Sequence, residues 1–265
     1  RSPVSNPPDI QQLAVDTIKT LSIDAVQQAN SGHPGMPMGM ADLAVALWTK
    51  HLIVDPTDLT WPDRDRFVLS NGHGSMLLYS LLHLSGFPIS MEDIKRFRQL
   101  GSPTAGHPER EPHLGIETTT GPLGQGIATA VGLAAAEAHL RAIFGADLVD
   151  HRTYVFAGDG DLMEGVASEA GSLAGHLGLG RLIVVYDDND ISIGGSTDVT
   201  FTEDVPARFR ALGWSTLDID GHDRAAADEA FVAAKADEGA PTLIVAHTHI
   251  AHGAPTKQDT AASHG

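Results

Sequence analysis

The chain has 265 residues, enough for one to two domains at ~150 residues each and for a core burying on the order of 75% of the unfolded surface. Lys plus Arg is 17 against 34 for Asp plus Glu, a net charge of −17, which argues against a general binder of nucleic acid or anionic membrane. Cysteine is absent, excluding a disulfide scaffold and a cysteine–zinc site, while the 14 histidines nearly match all Lys and Arg together.

The first residues, Arg1 to Pro8, are polar and proline-rich and lack the apolar core of a signal peptide. Asp9 can cap a helix in which Ile10, Leu13, Ile18, Leu21 and Ala25 recur at mixed three- and four-residue steps. That helix should end near Asn30-Ser31-Gly32, because His33-Pro34 disfavours its continuation. Met40 to Leu52 reads as a second helix. Met36, Met38 and Met40 read as packing at a helix start or an interface. Five short apolar runs then read as strands: 67–70, 153–157, 182–186, 216–219 and 242–247. Helical patterns lie between them, over 75–84, 125–144, 168–177 and 224–235. The most apolar helical stretch, Ile127 to Ala136, runs ten residues before Glu137, short of the roughly 20 a membrane span needs. Most strands are apolar on both faces, which suits a parallel sheet covered on both sides. Alternating β and α segments predict an α/β fold: a doubly wound, mainly parallel sheet of five to six strands with helices on both faces. No repeat or long polar linker divides the chain, so a single domain over 1–265 is expected, in a soluble, cytoplasmic protein.

The common nucleotide and hydrolase signatures are absent: no G-x-G-x-x-G after a strand, no G-x-x-x-x-G-K-S/T, no G-x-S-x-G and no H-E-x-x-H. Two strands instead run into polar termini, one into Gly158-Asp159-Gly160 and the other into Asp187-Asp188-Asn189. The 27 residues between Gly160 and Asp188 fit a helix and a returning strand. A right-handed crossover would place Asp159 and Asn189 at the carboxyl ends of two parallel strands, the edge where open α/β sheets bind ligands. A carboxylate and a carboxamide make a poor zinc site and a good one for a hard cation. The plainer alternative is two unrelated strand-end turns. Gly121-Pro-Leu-Gly124-Gln-Gly126 precedes the long Ala-rich helix, where glycine backbone can hold an anion or simply start the helix.

Four histidines sit in Gly- or Pro-flanked loops: His33 in Gly32-His33-Pro34-Gly35, His73 in Asn71-Gly72-His73-Gly74, His107 in Gly106-His107-Pro108, and His264 in Ser263-His264-Gly265. Imidazole can accept, donate and shuttle protons near neutral pH. Taken singly, each is better explained as structural or solvated; four in similar contexts favour catalysis. The other ten read as structural or solvated.

The stretches SGHPGMPMGMADLAVALW (31–48), LSNGHGSMLLYSLLHLSG (69–86), FRQLGSPTAGHPE (97–109), ETTTGPLGQGIATAVGLA (117–134), GDGDLMEGVASEA (158–170), AGHLGLGRLIVVYDDNDISIGG (174–195) and GAPTKQDTAASHG (253–265) resemble, in order, the N-terminal diphosphate-binding domain of transketolase. The resemblance implies thiamine diphosphate with Mg²⁺ or Ca²⁺, held by Asp159, Asn189 and the Ile191 carbonyl. It implies cofactor contacts from Gly121, Leu123, Gly158, Gly160, His73 and His264. His33, His73, His107 and His264 would line the channel to the reactive carbon, and Glu164 would join a carboxylate relay across a subunit interface. The implied activity is transfer of a two-carbon ketol unit from a ketose phosphate to an aldose phosphate, in the pentose phosphate pathway. The expected partners are the pyrimidine-binding domain of a partner subunit, in a homodimer, and sugar phosphates, with neither nucleic acid nor membrane. The family's pyrimidine-binding and C-terminal domains are absent from this chain, so it is expected to be inactive alone. Gly194-Gly195 stands where an acidic residue is common. Two alternatives stay open: a cofactor-binding or assembly module without activity of its own, and a related ketol transferase such as dihydroxyacetone synthase.

Overall fold

The computed structural model describes residues 9–265; the polar segment 1–8, with the targeting argument made on it, lies outside the described residues. In chain order the elements are α1 (Ile10–Ala29), α2 (Gly35–Lys50), β1 (Arg66–Leu69), α3 (Ser75–Leu84), α4 (Met91–Lys95), α5 (Gln125–Phe144), β2 (Thr153–Gly158), α6 (Asp159–Met163), α7 (Gly165–Leu177), β3 (Leu182–Asp188), β4 (Ile191–Ser192), β5 (Gly195–Ser196), α8 (Val205–Ala211), β6 (Ser215–Asp220), α9 (Arg224–Ala236) and β7 (Thr242–His247). The main sheet has five strands in the order β1-β2-β3-β7-β6, all parallel, at the lower end of the five to six expected. β4 and β5 form a separate antiparallel hairpin.

The continuous apolar strands are explained by cover on both faces. Along β2, Tyr154 and Phe156 join one core with residues of α1, α2, α3 and α9, while Val155 and Ala157 join the other with residues of α5, α7 and α8. Along β3, Ile183 and Val185 take the first side and Val184 and Tyr186 the second. β6 is the edge strand and is only half-buried, with Asp218 and Asp220 turned out to solvent.

Two helices begin earlier than their periodicity indicates. α2 starts at Gly35 rather than Met40, and all of its residues from Gly35 to Leu47 are buried. A helix covered all round carries no amphipathic period to mark its start. The backbone of Ser263 and His249 packs so closely on it that a Cβ at Gly35 or Gly39 would lie 2.3 or 2.9 Å from their carbonyl oxygens. α7 starts at Gly165 rather than Ser168. α4, α6, α8 and the β4–β5 hairpin are too short to show a period. Caps define two of the short helices: Ser90 and Asp93 form a capping box on α4, and the Asp204 side chain accepts from the Ala207 amide on α8.

α5 spans the predicted 125–144, and the ten-residue apolar stretch lies within it. It is 20 residues long, with mean hydropathy 1.3 over an 18-residue window, long and apolar enough to cross a membrane by length and composition. In the fold, Ile127, Ala130, Val131 and Ala134 lie against the second core, as in the covering helix of a packed α/β domain.

Candidate functional site

The β2–β3 register sets Gly158 beside Asp187, so the two polar strand ends meet at the carboxyl edge of the sheet. A cavity of about 290 Å³ opens there, lined by Asn71, His73, Gly121, Leu123, Gly158, Asp159, Gly160, Asn189, Ile191 and His264, among others. Asp159 is not in a plain turn: it begins α6, and Gly158 ends β2. Burial, together with the carboxylates of Asp187, Asp188 and Asp190, pushes Asp159 up to about 7, against one opposing hydrogen bond donated by the Tyr186 hydroxyl. A cation placed at Asp159 would relieve that desolvation and repulsion. Asn189 is held from both ends of its amide: its oxygen accepts from the Ile191 amide at 3.1 Å, and its nitrogen donates to Asp187 at 3.1 Å. Asp187 is buried, which pushes it up to about 6, and it also accepts from the Thr248 hydroxyl. Carboxylate, carboxamide and main-chain carbonyl at one edge match the oxygen preference of Mg²⁺ or Ca²⁺.

Close backbone approach is built in at two glycines. A Cβ at Gly160 would meet Leu123 at 2.9 Å, and one at Gly121, whose φ is +133°, would meet the His107 ring at about 3.0 Å.

The four loop histidines converge from four parts of the chain. His33 follows α1, His73 lies in the turn after β1, His107 is in the loop before α5, and His264 follows a 3₁₀ turn at Ala261–Ser263. The His33 ring centroid lies 5.2 Å from that of His73, 5.6 Å from that of His264 and 6.3 Å from that of His107. His73 and His264 stack at 5.0 Å. Burial is the largest cause holding all four below the ordinary imidazole value; neighbouring imidazoles reinforce it for His33 and His73, and Arg98 for His33 and His107. His33 is pushed down to about 4 and His73 to about 3, so both are neutral at pH 7. Glu164 is not brought to this group: it is exposed at the junction of α6 and α7 and does not line the cavity.

Three supporting residues escaped the sequence reading. Asp161 is fully buried and accepts from the Ser70 hydroxyl (2.7 Å), the Gly124 amide (2.8 Å) and the Gly158 amide (3.1 Å), tying three loops of the site together. The Gly124 amide is therefore spent on Asp161 rather than on a bound anion. Asn71 lines the cavity with both amide atoms buried and unpartnered, the condition of a group that awaits a polar ligand. Arg98 approaches His33 Nδ1 at 3.3 Å and donates to the Ser31 hydroxyl at 2.8 Å. Asn71 and Asp161 lie within the quoted SNGH and GDGD stretches, which do not show their partners, and nothing in sequence joins Arg98 to His33, 65 positions away.

The family model described as "Transketolase, thiamine diphosphate binding domain" matches residues 10–265. The chain is 58% identical over 260 residues to a transketolase of Geobacillus stearothermophilus, covering 97% of this chain and 39% of that one. It is 57% identical over 252 residues to transketolase 2 of Xanthobacter flavus, covering 94% and 37%. The crystal structure of transketolase from Campylobacter jejuni superposes with a TM-score of 0.94 at 49% identity, covering 98% of this chain and 41% of that one. A Pichia stipitis transketolase in complex with sedoheptulose-7-phosphate gives 0.94 at 51% identity, covering 97% and 39%. The chain thus spans about two fifths of the length of these relatives. Family match, sequence identity and superposition agree, and the chain belongs to the transketolase family, as its thiamine diphosphate binding domain.

Proposed function

We propose that this chain is the N-terminal part of a transketolase, which transfers a two-carbon ketol unit from a ketose phosphate to an aldose phosphate with thiamine diphosphate and a divalent cation. The observation that carries this reading is that His73 and His264 line the same cavity as Asp159 and Asn189, with His33 packed against both and His107 against His33. The side chains of Asp159 and Asn189 and the Ile191 carbonyl would hold the cation. Gly158 and the Gly160 amide would meet the diphosphate, and Gly121 and Leu123 the cofactor rings. When bound, thiamine diphosphate supplies the electron sink for breaking and remaking a carbon–carbon bond. The protein's share is proton transfer. His33 and His264, with free lone pairs at neutral pH, would take protons from substrate hydroxyls and return them. His107 would contact the ketose hydroxyls, and His73 would stand nearer the cofactor. Imidazole is suited to this because a small environmental change switches it between base and acid.

The partner would be the pyrimidine-binding domain of another subunit, in a homodimer, with Glu164 contributing to a carboxylate relay at that interface. Its exposed position outside the cavity suits contact with another domain. Alone, the chain would bind cofactor without turning over. A cytoplasmic location accompanies this reading, since phosphorylated sugars are charged metabolites confined by membranes.

The test pairs this chain with its complementary domains and assays ketol transfer. Asp159→Ala should reduce the rate by on the order of 100-fold or more, since losing a metal ligand costs at least as much as losing its outer-shell support. An unchanged rate would remove the site. Titration of the 265-residue chain with thiamine diphosphate, with and without Mg²⁺, separates a binding domain from an inert assembly module: the former shows saturable, metal-dependent fluorescence change.

A further inference from the structure

Three histidines left unused by the proposed chemistry also converge. His222 follows β6, and His249 and His252 follow β7. The His222 and His252 ring centroids are 3.7 Å apart, and His249 stacks on His222 at 5.5 Å. Beneath them lies Asp42, a buried carboxylate projecting from the middle of α2. One ligand atom each from Asp42, His222 and His252 lie within 4.8 Å of one another. None of the three lines the cofactor cavity.

The protonation pattern is informative. The His249 amide donates to His222 Nε2 at 2.9 Å, which turns His222 Nδ1 toward Asp42, 3.8 Å away, where it is buried without a hydrogen-bond partner. The Lys19 ammonium lies 3.1 Å from His252 Nδ1 and 3.8 Å from the same Asp42 oxygen. A cation is thus already held between an imidazole lone pair and a carboxylate. The other Asp42 oxygen accepts from Arg224 at 2.9 Å, which fixes the carboxylate's orientation. Burial, with His222 and Lys19 nearby, pushes His252 down to about 4, so it is neutral and able to coordinate at pH 7.

We propose that Asp42, His222 and His252 form a binding site for a divalent transition-metal ion of the Zn²⁺ type. Two imidazoles and one carboxylate are a borderline donor set, which Zn²⁺ accepts and Mg²⁺ does not favour. Tetrahedral Zn²⁺ with bonds of about 2.1 Å spaces its ligands roughly 3.4 Å apart, so the three atoms need to close by at most about 1.4 Å. The metal takes the place of the Lys19 ammonium, which can turn toward Asp16, one turn earlier on α1. On binding, the His222 proton moves from Nδ1 to Nε2, which gives up the His249 amide hydrogen bond and leaves the Nδ1 lone pair for the metal. A solvent-filled cleft of about 630 Å³, lined by Lys19, Asp42, His222, Arg224 and His252, provides the path and room for water as a fourth ligand. Arg224 stays on the outer Asp42 oxygen, as a supporting contact to the ligand.

The experiment is calorimetric titration of ZnCl₂ into the 265-residue chain, with Mg²⁺ and thiamine diphosphate in excess to occupy the oxygen-rich edge. Saturable binding of one Zn²⁺ per chain is expected. His252→Gln should weaken it on the order of tenfold or more. Lys19→Met should tighten it, because the competing ammonium is gone, and a purely structural role for Lys19 does not predict that sign. Circular dichroism confirms that both variants are folded; neither position lies in the core. Co²⁺ bound in place of Zn²⁺ should show the visible absorption of a four-coordinate site. The proposal is overturned if neither wild type nor Lys19→Met binds Zn²⁺ saturably, or if His252→Gln binds as tightly as wild type.

Discussion

His33 shows how burial, an adjacent guanidinium and neighbouring imidazoles prepare a base. Its value is lowered to about 4 by burial, then by His264, Arg98 and His107. Arg98→Met should therefore raise the His33 pKa, read from the C2 proton shift in an NMR titration; a value that stays put or drops contradicts the assignment of Arg98. The linkage has a definite sign. Unfolded, the imidazole takes up its proton near 6.5; folded, only near 4, so its contribution to stability is complete above pH 6.5 and is lost as pH falls toward 4. Wild type should lose more stability than His33→Gln between pH 7 and pH 5 in urea titrations, and parallel losses would refute this. Asp159 runs the opposite way. Its folded value of about 7 against 3.8 means its neutral form is favoured, and stability is lost as pH rises through 7. At pH 8 without metal, Asp159→Asn should melt higher than wild type. With Mg²⁺ and thiamine diphosphate, only wild type should gain.

At the scale of elements, the site is a set of loops pinned to the sheet edge, and Asp161 does much of the pinning. It sits in α6, one residue past the Gly158-Asp159-Gly160 turn, and reaches the loops after β1 and before α5. With three buried hydrogen bonds at about 1 kcal/mol each, Asp161→Ala should destabilise the chain by about 3 kcal/mol. Burial raises the carboxyl above its ordinary range, and its three donors oppose that rise. The same variant should weaken thiamine diphosphate binding although Asp161 offers it no ligand atom. Normal affinity with reduced stability would confine Asp161 to scaffolding. The GDGD stretch marked this region in sequence, but it did not show that the second aspartate faces inward to Ser70, 91 positions earlier.

Over the whole molecule, part of the helical cover stays apolar on its outer side. α5 buries one stripe, yet Leu140, Ile143 and Phe144 near its end are exposed, as are Leu173 and Leu177 on the adjoining α7. Clustered exposed apolar residues mark association surfaces. The 265-residue chain should therefore self-associate with rising concentration in sedimentation velocity. The double variant Ile143→Lys with Phe144→Lys should shift it toward monomer. A chain that is monomeric throughout, or a variant that associates as before, refutes this. The net charge of −17 opposes such association, so it should strengthen with added salt.

The sequence by itself determined the parallel α/β class, the five strands and the long helix α5. Continuous apolar runs and glycine-bounded helices are local consequences of two-sided burial. It also brought Asp159 and Asn189 to one sheet edge, because they lie at strand ends whose adjacency follows from a single crossover. The tertiary structure alone decided the rest. The start of α2 was hidden because a helix buried all round has no polar face. Asn71, Asp161 and Arg98 act through partners far away in sequence. The cluster at Asp42, His222 and His252 arises only where α2, the end of β6 and the segment after β7 pack together. Local pattern records how each segment meets solvent, whereas contacts among three distant segments are set by packing, which no window of sequence contains.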